Sequence, residues 1–286
     1  MQVNGEAAEA VAEVLSRYAP RGVAFDYGAD PAIVSLVTVK AYLAVDEGIA
    51  ARRRKIEEGL WHLRQIWPII PEPAFRTIPE QDWTATWKEQ IPVLHLGERV
   101  VIRPSWRTYS PQTDEIVLMI DPGMAFGTGL HPTTQLCVTA VEAFARAGTG
   151  MLDLGTGTGI LAMIAAQLGA DPVLGIDNDP SAVNAARRNA AANQLDDRVE
   201  LRCGSLADVQ EAYSLVVANI LAPVIIAMAE SGLAERVLVD GTLVASGILE
   251  DQTDEVAAAL QRYGLRVTDR WRQGEWVALI AECPAG

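Results

Sequence analysis

Cysteine, histidine and positive charge are all scarce in this chain of 286 residues. The three cysteines, Cys137, Cys203 and Cys283, are odd in number, widely spaced and free of any CxxC pair, so neither a disulfide framework nor a zinc site is indicated. With only His62, His95 and His131 besides, no metal site is expected. Long apolar runs are missing too: none reaches the roughly 18 residues of a membrane span. Near the start stand Glu6, Glu9 and Glu13 with no early Lys or Arg, unlike the positive opening of a signal peptide, and the expected location is the cytoplasm. Lys and Arg number 23 against 37 Asp and Glu, a net charge of −14. That deficit disfavours a broad grip on nucleic acid, which depends on clustered cations neutralising phosphates, and leaves room for a basic protein partner.

What is present is a globular balance, 50% hydrophobic and 21% charged. At roughly 100 to 200 residues per domain the length suits about two domains. Helical spacing of Val11, Val14, Leu15 and Tyr18 predicts a helix over 6–18, a β-branched run predicts a strand within 33–45, and Ile49, Ile56, Leu60, Leu63 and Trp67 mark a helix over 46–67. Pro68, Pro71, Pro73 and Pro79 then end regular structure and place a domain boundary. Asp82 is a possible cap for a short helix carrying Trp83 and Trp87 four apart, read as a linker. The basic run Arg52, Arg53, Arg54 and Lys55 sits beside Glu57 and Glu58, as on a solvated helix face; nucleic-acid contact is the competing reading.

After Thr149 short apolar strands alternate with helices, the pattern of a parallel sheet covered on both faces. Strands are expected over 151–154, 173–177, 199–203, 215–219 and 242–246, helices over 160–168, 180–193, 223–235 and 250–263, and a closing hairpin over 265–272 and 276–281. The first strand runs into Asp153, Leu154, Gly155, Thr156, Gly157, Thr158 and Gly159 before a helix, a turn that lets backbone approach a ligand. A dinucleotide fingerprint needs a glycine where Ile160 stands. The form with an acid ahead of Gly-x-Gly-x-Gly instead matches the S-adenosylmethionine loop of Rossmann-like methyltransferases, with a purely structural glycine turn as the alternative.

Asp177 ends the second strand and follows Gly155 at roughly the 20-residue spacing of an acid that accepts both ribose hydroxyls. Asp179, ahead of Pro180, reads better as a helix cap. Asn219 closes the fourth strand, where the ligand crevice of such a sheet lies; it suits the methionine part of a cofactor or an incoming amine, against the plainer reading of a helix cap.

Ahead of the sheet, Asp121-Pro122-Gly123-Met124-Ala125-Phe126-Gly127-Thr128-Gly129-Leu130-His131-Pro132-Thr133-Thr134 holds more glycine, proline and hydrogen-bonding side chains than a connector needs. With Asp153 to Ala162, Gly175 to Pro180 and Val217 to Ala222, this segment resembles PrmA, the bacterial methyltransferase family of ribosomal protein L11. The resemblance extends from about residue 80 to 282, and the first 75 residues match only in general character. It implies an α/β fold: a seven-stranded Rossmann-like methyltransferase domain with a smaller N-terminal α+β domain. The implied layout is 1–78 for substrate recognition, 79–92 as linker helix and 93–286 for methyl transfer. Carried over by position, cofactor contacts fall on Thr134, Gly155, Asp177 and Asn219, with Gly127, Asp153 and Gly157 added from the loops. The 121–134 segment is expected to close over the cofactor, which makes Phe126 and His131, with Asn219, the candidates nearest the chemistry; simple packing for Phe126 and a loop hydrogen bond for His131 are the alternatives. No residue stands out as a general base.

The expected reaction is transfer of methyl groups from S-adenosylmethionine to lysine or N-terminal amines of ribosomal protein L11 by a monomer with no direct nucleic-acid or membrane contact. Rivals are a lysine methyltransferase of another protein, a small-molecule methyltransferase, and a cofactor-binding scaffold without activity. A nicotinamide oxidoreductase is disfavoured by Ile160.

Overall fold

The structure is a computed structural model that describes residues 1–3, 5–19, 23–26, 37–43, 45–66, 70–77, 92–120 and 129–285. The chain divides into two compact units, Met1–Thr86 and Trp87–Gly286. Among the described residues no helix is long and apolar enough to cross a membrane.

In the first unit, strands β1 (Gln2–Val3), β2 (Val23–Asp26) and β3 (Val37–Ala41) form an antiparallel sheet in the order β1-β3-β2. Helices α1 (Gly5–Ser16) and α2 (Ile49–Ile66) supply its core through Ala7, Val11, Ile56 and Leu60, packed with Val37 and Val39. A Cβ on Gly59 would stand 2.7 Å from Val14 Cγ1, so the helices approach closely there. Two members of the basic run make local contacts, while Arg54 and Lys55 are exposed. Arg52 pairs with Asp46 at 2.6 Å and Arg53 lies 4.2 Å over the Phe75 ring, as a structural helix face does. The expected linker helix with Trp83 and Trp87 lies outside the described residues.

The second unit opens with a three-stranded sheet that sequence patterning did not anticipate: β4 (Leu94–Leu96), β5 (Val100–Arg103) and β6 (Ile116–Met119). Its strands are three or four residues long, too short for alternation to declare itself. The seven-stranded sheet follows in the order β12-β13-β11-β10-β7-β8-β9. Strands β7 (Met151–Leu154), β8 (Val173–Asp177), β9 (Glu200–Cys203), β10 (Tyr213–Asn219) and β11 (Val237–Leu249) are parallel, and β13 (Trp276–Glu282) runs antiparallel between β11 and β12 (Arg266–Gln273).

Helices α3 (Pro132–Phe144), α4 (Ile160–Gln167) and α5 (Pro180–Ala192) cover the face bearing Met151, Val217 and Val244. The small sheet joins that core through Val100, Ile102 and Leu118. Helices α6 (Ala222–Glu230) and α7 (Thr253–Arg262) cover the opposite face, bearing Leu152, Leu154, Val216 and Leu243. Burying each such aliphatic side chain contributes roughly 1.5 to 3 kcal/mol, so the sheet is the stable platform on which the loops rest.

Two expectations need correction. The helix expected over 223–235 ends at Glu230, because Gly232 at φ +95° breaks it and a 3-10 turn takes over at Leu233–Arg236. The strand expected over 242–246 belongs to a longer one that starts at Val237.

Candidate active site

Strand order reverses between β7 and β10, and the crevice of an open α/β sheet lies beyond the carboxyl ends of strands at such a point. Register brings the predicted residues to this edge. Leu154 pairs with Ile176 on one side and with Ala218 on the other, so Gly155, the residue after β7, lies level with Asp177 and Asn219, the last residues of β8 and β10.

The loop after β7 is shaped by backbone. Gly155, Gly157 and Gly159 all have positive φ, at +73°, +55° and +80°. A Cβ on Gly155 would stand 2.6 Å from Ile220 Cγ2, which leaves room only for hydrogen. Both Gly155 and Thr156 amides donate to the Ile176 carbonyl, at 2.9 and 3.0 Å, and lock the turn to β8. Gly159 then begins α4 without a side-chain cap of its own, and in the first turn the Ala162 amide donates to the Asp153 carboxyl.

The carboxylate of Asp177 is held by two amides, Gly157 at 2.9 Å on one oxygen and Asp179 at 3.0 Å on the other. Each oxygen keeps a lone pair with which to accept a further hydroxyl. Asp179 caps α5 by accepting from the Ser181 amide at 2.8 Å, as its place before Pro180 suggested.

Asp153 sits below this surface. It is buried, it accepts the Thr156 hydroxyl at 2.7 Å, and burial pushes its carboxyl up to about 6 even though Thr156 and a backbone hydrogen bond from Ala162 pull the other way. It is therefore placed to brace the glycine turn from beneath. Cys137 lies beside Ser246 and Asp153, and burial pushes its thiol up to about 12, which removes it as a nucleophile at neutral pH.

His131 caps α3. Its Nδ1 accepts the Thr133 amide at 3.3 Å and stands 2.7 Å from Thr133 Oγ1, and burial lowers its pKa to about 4. A neutral imidazole whose Nδ1 is engaged is a poor general base, and the loop hydrogen bond weighed for it in sequence is present. Asn219, by contrast, caps no helix; the cap of α6 is Leu221. Phe126 and Gly127 lie outside the described residues.

Two oxygens on this side of the sheet are buried without any hydrogen-bond partner among the described residues: Asn219 Oδ1 at the end of β10, and Thr134 Oγ1 in the first turn of α3, the helix packed across β10 and β11. A buried polar atom left unpaired costs about 1 to 3 kcal/mol, so it calls for a partner that the described residues do not supply. With the cramped Gly155 turn and the free acceptor capacity of Asp177, these groups fit a nucleoside attached to a polar amino-acid moiety.

Sequence reasoning passed over the groups that hold this arrangement. Gly247, at φ +85°, lies so close to Ile220 that a Cβ would stand 2.3 Å from its carbonyl oxygen, while the Ile220 amide donates to Ser246 at 3.0 Å. A glycine inside an apolar strand is itself the signal of such close approach. Asn189 binds the Thr158 carbonyl at 2.9 Å, and the Asn193 amide clasps both backbone groups of Met119, at 2.7 and 2.8 Å. These last contacts carry no local pattern.

Comparison with known proteins adds to this geometry. The family model described as Ribosomal protein L11 methyltransferase (PrmA) matches residues 1–283, including the first unit, where sequence reading saw only a general likeness. A ribosomal protein L11 methyltransferase of Chloroflexus aurantiacus is 40% identical over 321 residues, spanning 99% of this chain and 97% of that protein. One from Heliobacterium modesticaldum is 41% identical over 249 residues, spanning 86% of this chain and 78% of its own. Among solved structures, a ribosomal protein L11 methylase from Lactobacillus delbrueckii subsp. bulgaricus aligns with TM-score 0.63 and 34% identity, covering 68% of this chain and 99% of that one.

Proposed function

The chain belongs to the ribosomal protein L11 methyltransferase family, and from that premise we infer that it transfers methyl groups from S-adenosylmethionine to lysine or N-terminal amines of ribosomal protein L11. The observation that carries this reading is the family match over residues 1–283, because it includes the first unit as well as the methyl-transfer fold. The first unit is assigned to recognition of the protein substrate, and the second to cofactor binding and transfer. A ribosomal substrate puts the work in the cytoplasm. The net charge of −14 suits a basic polypeptide and gives no support to direct nucleic-acid binding or to a membrane role.

S-adenosylmethionine, when bound, supplies a methyl group activated by a neighbouring positive sulfur. Asp177 is assigned to the ribose hydroxyls, the Gly155 to Gly159 turn to close backbone approach, and the unpaired oxygens of Thr134 and Asn219 to the polar amino-acid end. Gly157 and Asp153 act from beneath by fixing the turn, through the Asp177 and Thr156 contacts respectively.

The nucleophile must be an unprotonated amine held in line with the transferred group. A lysine of ordinary pKa, about 10.4, is neutral in only about 1 of 2,500 molecules at pH 7, a cost of ~4.6 kcal/mol. Desolvation at the mouth of the site lowers that cost by disfavouring the ammonium form. Asn219 Oδ1 has a second lone pair besides the one assigned to the cofactor, and through it can take a hydrogen bond from the amine without needing to ionise. No basic side chain is required for the proton, and His131, neutral and engaged through Nδ1, is assigned the start of α3 instead.

Calorimetry with S-adenosylmethionine and with NAD tests the assignment. Binding of the first alone is the expected result. Binding of NAD alone overturns it in favour of an oxidoreductase, and binding of S-adenosylmethionine with no transfer to any protein favours a scaffold.

A further inference from the structure

We propose that Gln273 and Trp276, on either side of the closing β12–β13 turn, are positioning residues for the cofactor site, acting through Gln135 and His131 on the 129–134 segment. The proposal rests on the reading of that site as one for S-adenosylmethionine. Gln273 and Trp276 face each other in the antiparallel register, joined by a tight turn at Gly274, where φ is +63°. Directly opposed residues share one face of the sheet, and this pair meets the start of α3.

The two contacts are distinct. The Trp276 ring stands edge-on to the His131 imidazole, with centroids 4.7 Å apart at 70°. His131 caps the helix whose first turn carries the unpaired Thr134 hydroxyl, so the indole fixes the ring that fixes that turn. Gln273 Nε2 donates to Gln135 Oε1 at 2.5 Å. With its oxygen occupied, Gln135 turns its NH2 to the carbonyls of Gly129 and Leu130, at 3.4 and 3.2 Å. The amide orientation follows from the partners, since two carbonyls can accept only from nitrogen.

Both residues are only partly buried, and the hairpin is anchored in the core by Val277, Leu279 and Ala281 instead. Loss of either contact therefore loosens the 129–134 segment more than it loosens the sheet. The consequence is that cofactor affinity depends on two residues more than a hundred positions away in sequence from the segment they hold.

Calorimetric Kd for S-adenosylmethionine, melting temperature and KM against kcat test this on the full chain carrying Gln273→Glu, Gln273→Ala, Trp276→Ala or Trp276→Phe. A carboxylate at 273 offers only acceptors and forces Gln135 to turn its NH2 away from Gly129 and Leu130. Gln273→Glu is accordingly expected to weaken binding about tenfold, and Gln273→Ala by less, since alanine leaves Gln135 free to keep those bonds. Trp276→Ala is expected to weaken binding by a similar factor, with Trp276→Phe restoring most of it because an aromatic edge is retained. In each case the loss falls on KM for the cofactor more than on kcat. Affinities of Gln273→Glu and Trp276→Ala within twofold of the unaltered protein overturn the proposal, as does Gln273→Ala weakening binding more than Gln273→Glu. Should Trp276→Ala fail to fold, the Gln273 pair decides alone. Failure of the unaltered protein to bind S-adenosylmethionine overturns the underlying site reading.

Discussion

One oxygen of the Asp177 carboxylate accepts the Gly157 amide at 2.9 Å, so the acid that ends β8 also shapes the glycine turn after β7. Asp177→Ala removes the proposed ribose partner and a loop anchor together. The expected loss of S-adenosylmethionine affinity is about 1.5 to 3 kcal/mol for each charged hydrogen bond removed. Asp177→Asn, which keeps an acceptor for Gly157, should recover the melting temperature more fully than the affinity. Calorimetry and thermal melts on the two variants read these effects separately.

Thr134 gives a prediction of opposite sign in the free protein. Its buried hydroxyl has no partner among the described residues, so Thr134→Val, which conserves shape, is expected to stabilise the unliganded fold by about 1 kcal/mol or more while weakening cofactor binding. Denaturant titration with and without S-adenosylmethionine measures both. A variant less stable without the cofactor, or equally tight with it, removes Thr134 from the site.

Asp153 and His131 load the stability of the second unit with pH dependences that oppose each other. The Asp153 carboxyl is raised by burial in the fold to about 6 from its ordinary 3.8, so its contribution is fully present below 3.8 and is lost as pH rises through 6. A shift of that size corresponds to about 3 kcal/mol. His131 is lowered to about 4 from 6.5, so its contribution is present above 6.5 and is lost as pH falls through 4. The two windows overlap between about pH 4 and 6.5 and largely offset. Asp153→Asn should therefore unmask a loss of stability on acidification, and His131→Asn, which keeps a cap, should unmask a gain. Chemical denaturation from pH 4 to 7 checks this, and identical slopes for all three proteins would contradict it.

Gly247→Ala introduces a Cβ 2.3 Å from the Ile220 carbonyl oxygen at a residue with φ +85°. The displaced backbone is that of the residue directly after Asn219. The expected result is a loss of at least about 1 to 3 kcal/mol in stability and a weaker cofactor site. Gly274→Ala, with a comparable φ of +63° and open space around its Cβ position, should cost less, and comparison of their melts isolates the steric part.

How much of this could be read from sequence follows from how local each cause is. The strands over 151–154 and 173–177 are short, mostly apolar segments closed by Gly155 and by Asp177, and their bounds agree with β7 and β8 residue for residue. Asp179 declared itself as a cap through Pro180. The small β4-β5-β6 sheet did not, because part of what secures it is remote: Glu142 on α3 accepts the Glu98 and Arg99 amides at 2.8 Å each, and leaves no room for a side chain on Gly97. The placing of the glycine loop and Asp177 side by side at strand ends was legible from spacing, whereas the contacts of Gln273 with Gln135 and of Trp276 with His131 exist only once β12 and β13 fold back against α3.

The most direct test of the account is to incubate the protein with isotopically labelled S-adenosylmethionine and a mixture of ribosomal proteins, then identify the labelled chain and its modified amines by mass spectrometry. The account predicts label on amines of ribosomal protein L11. Label confined to another protein, or to a small molecule, while S-adenosylmethionine binds normally, would contradict it.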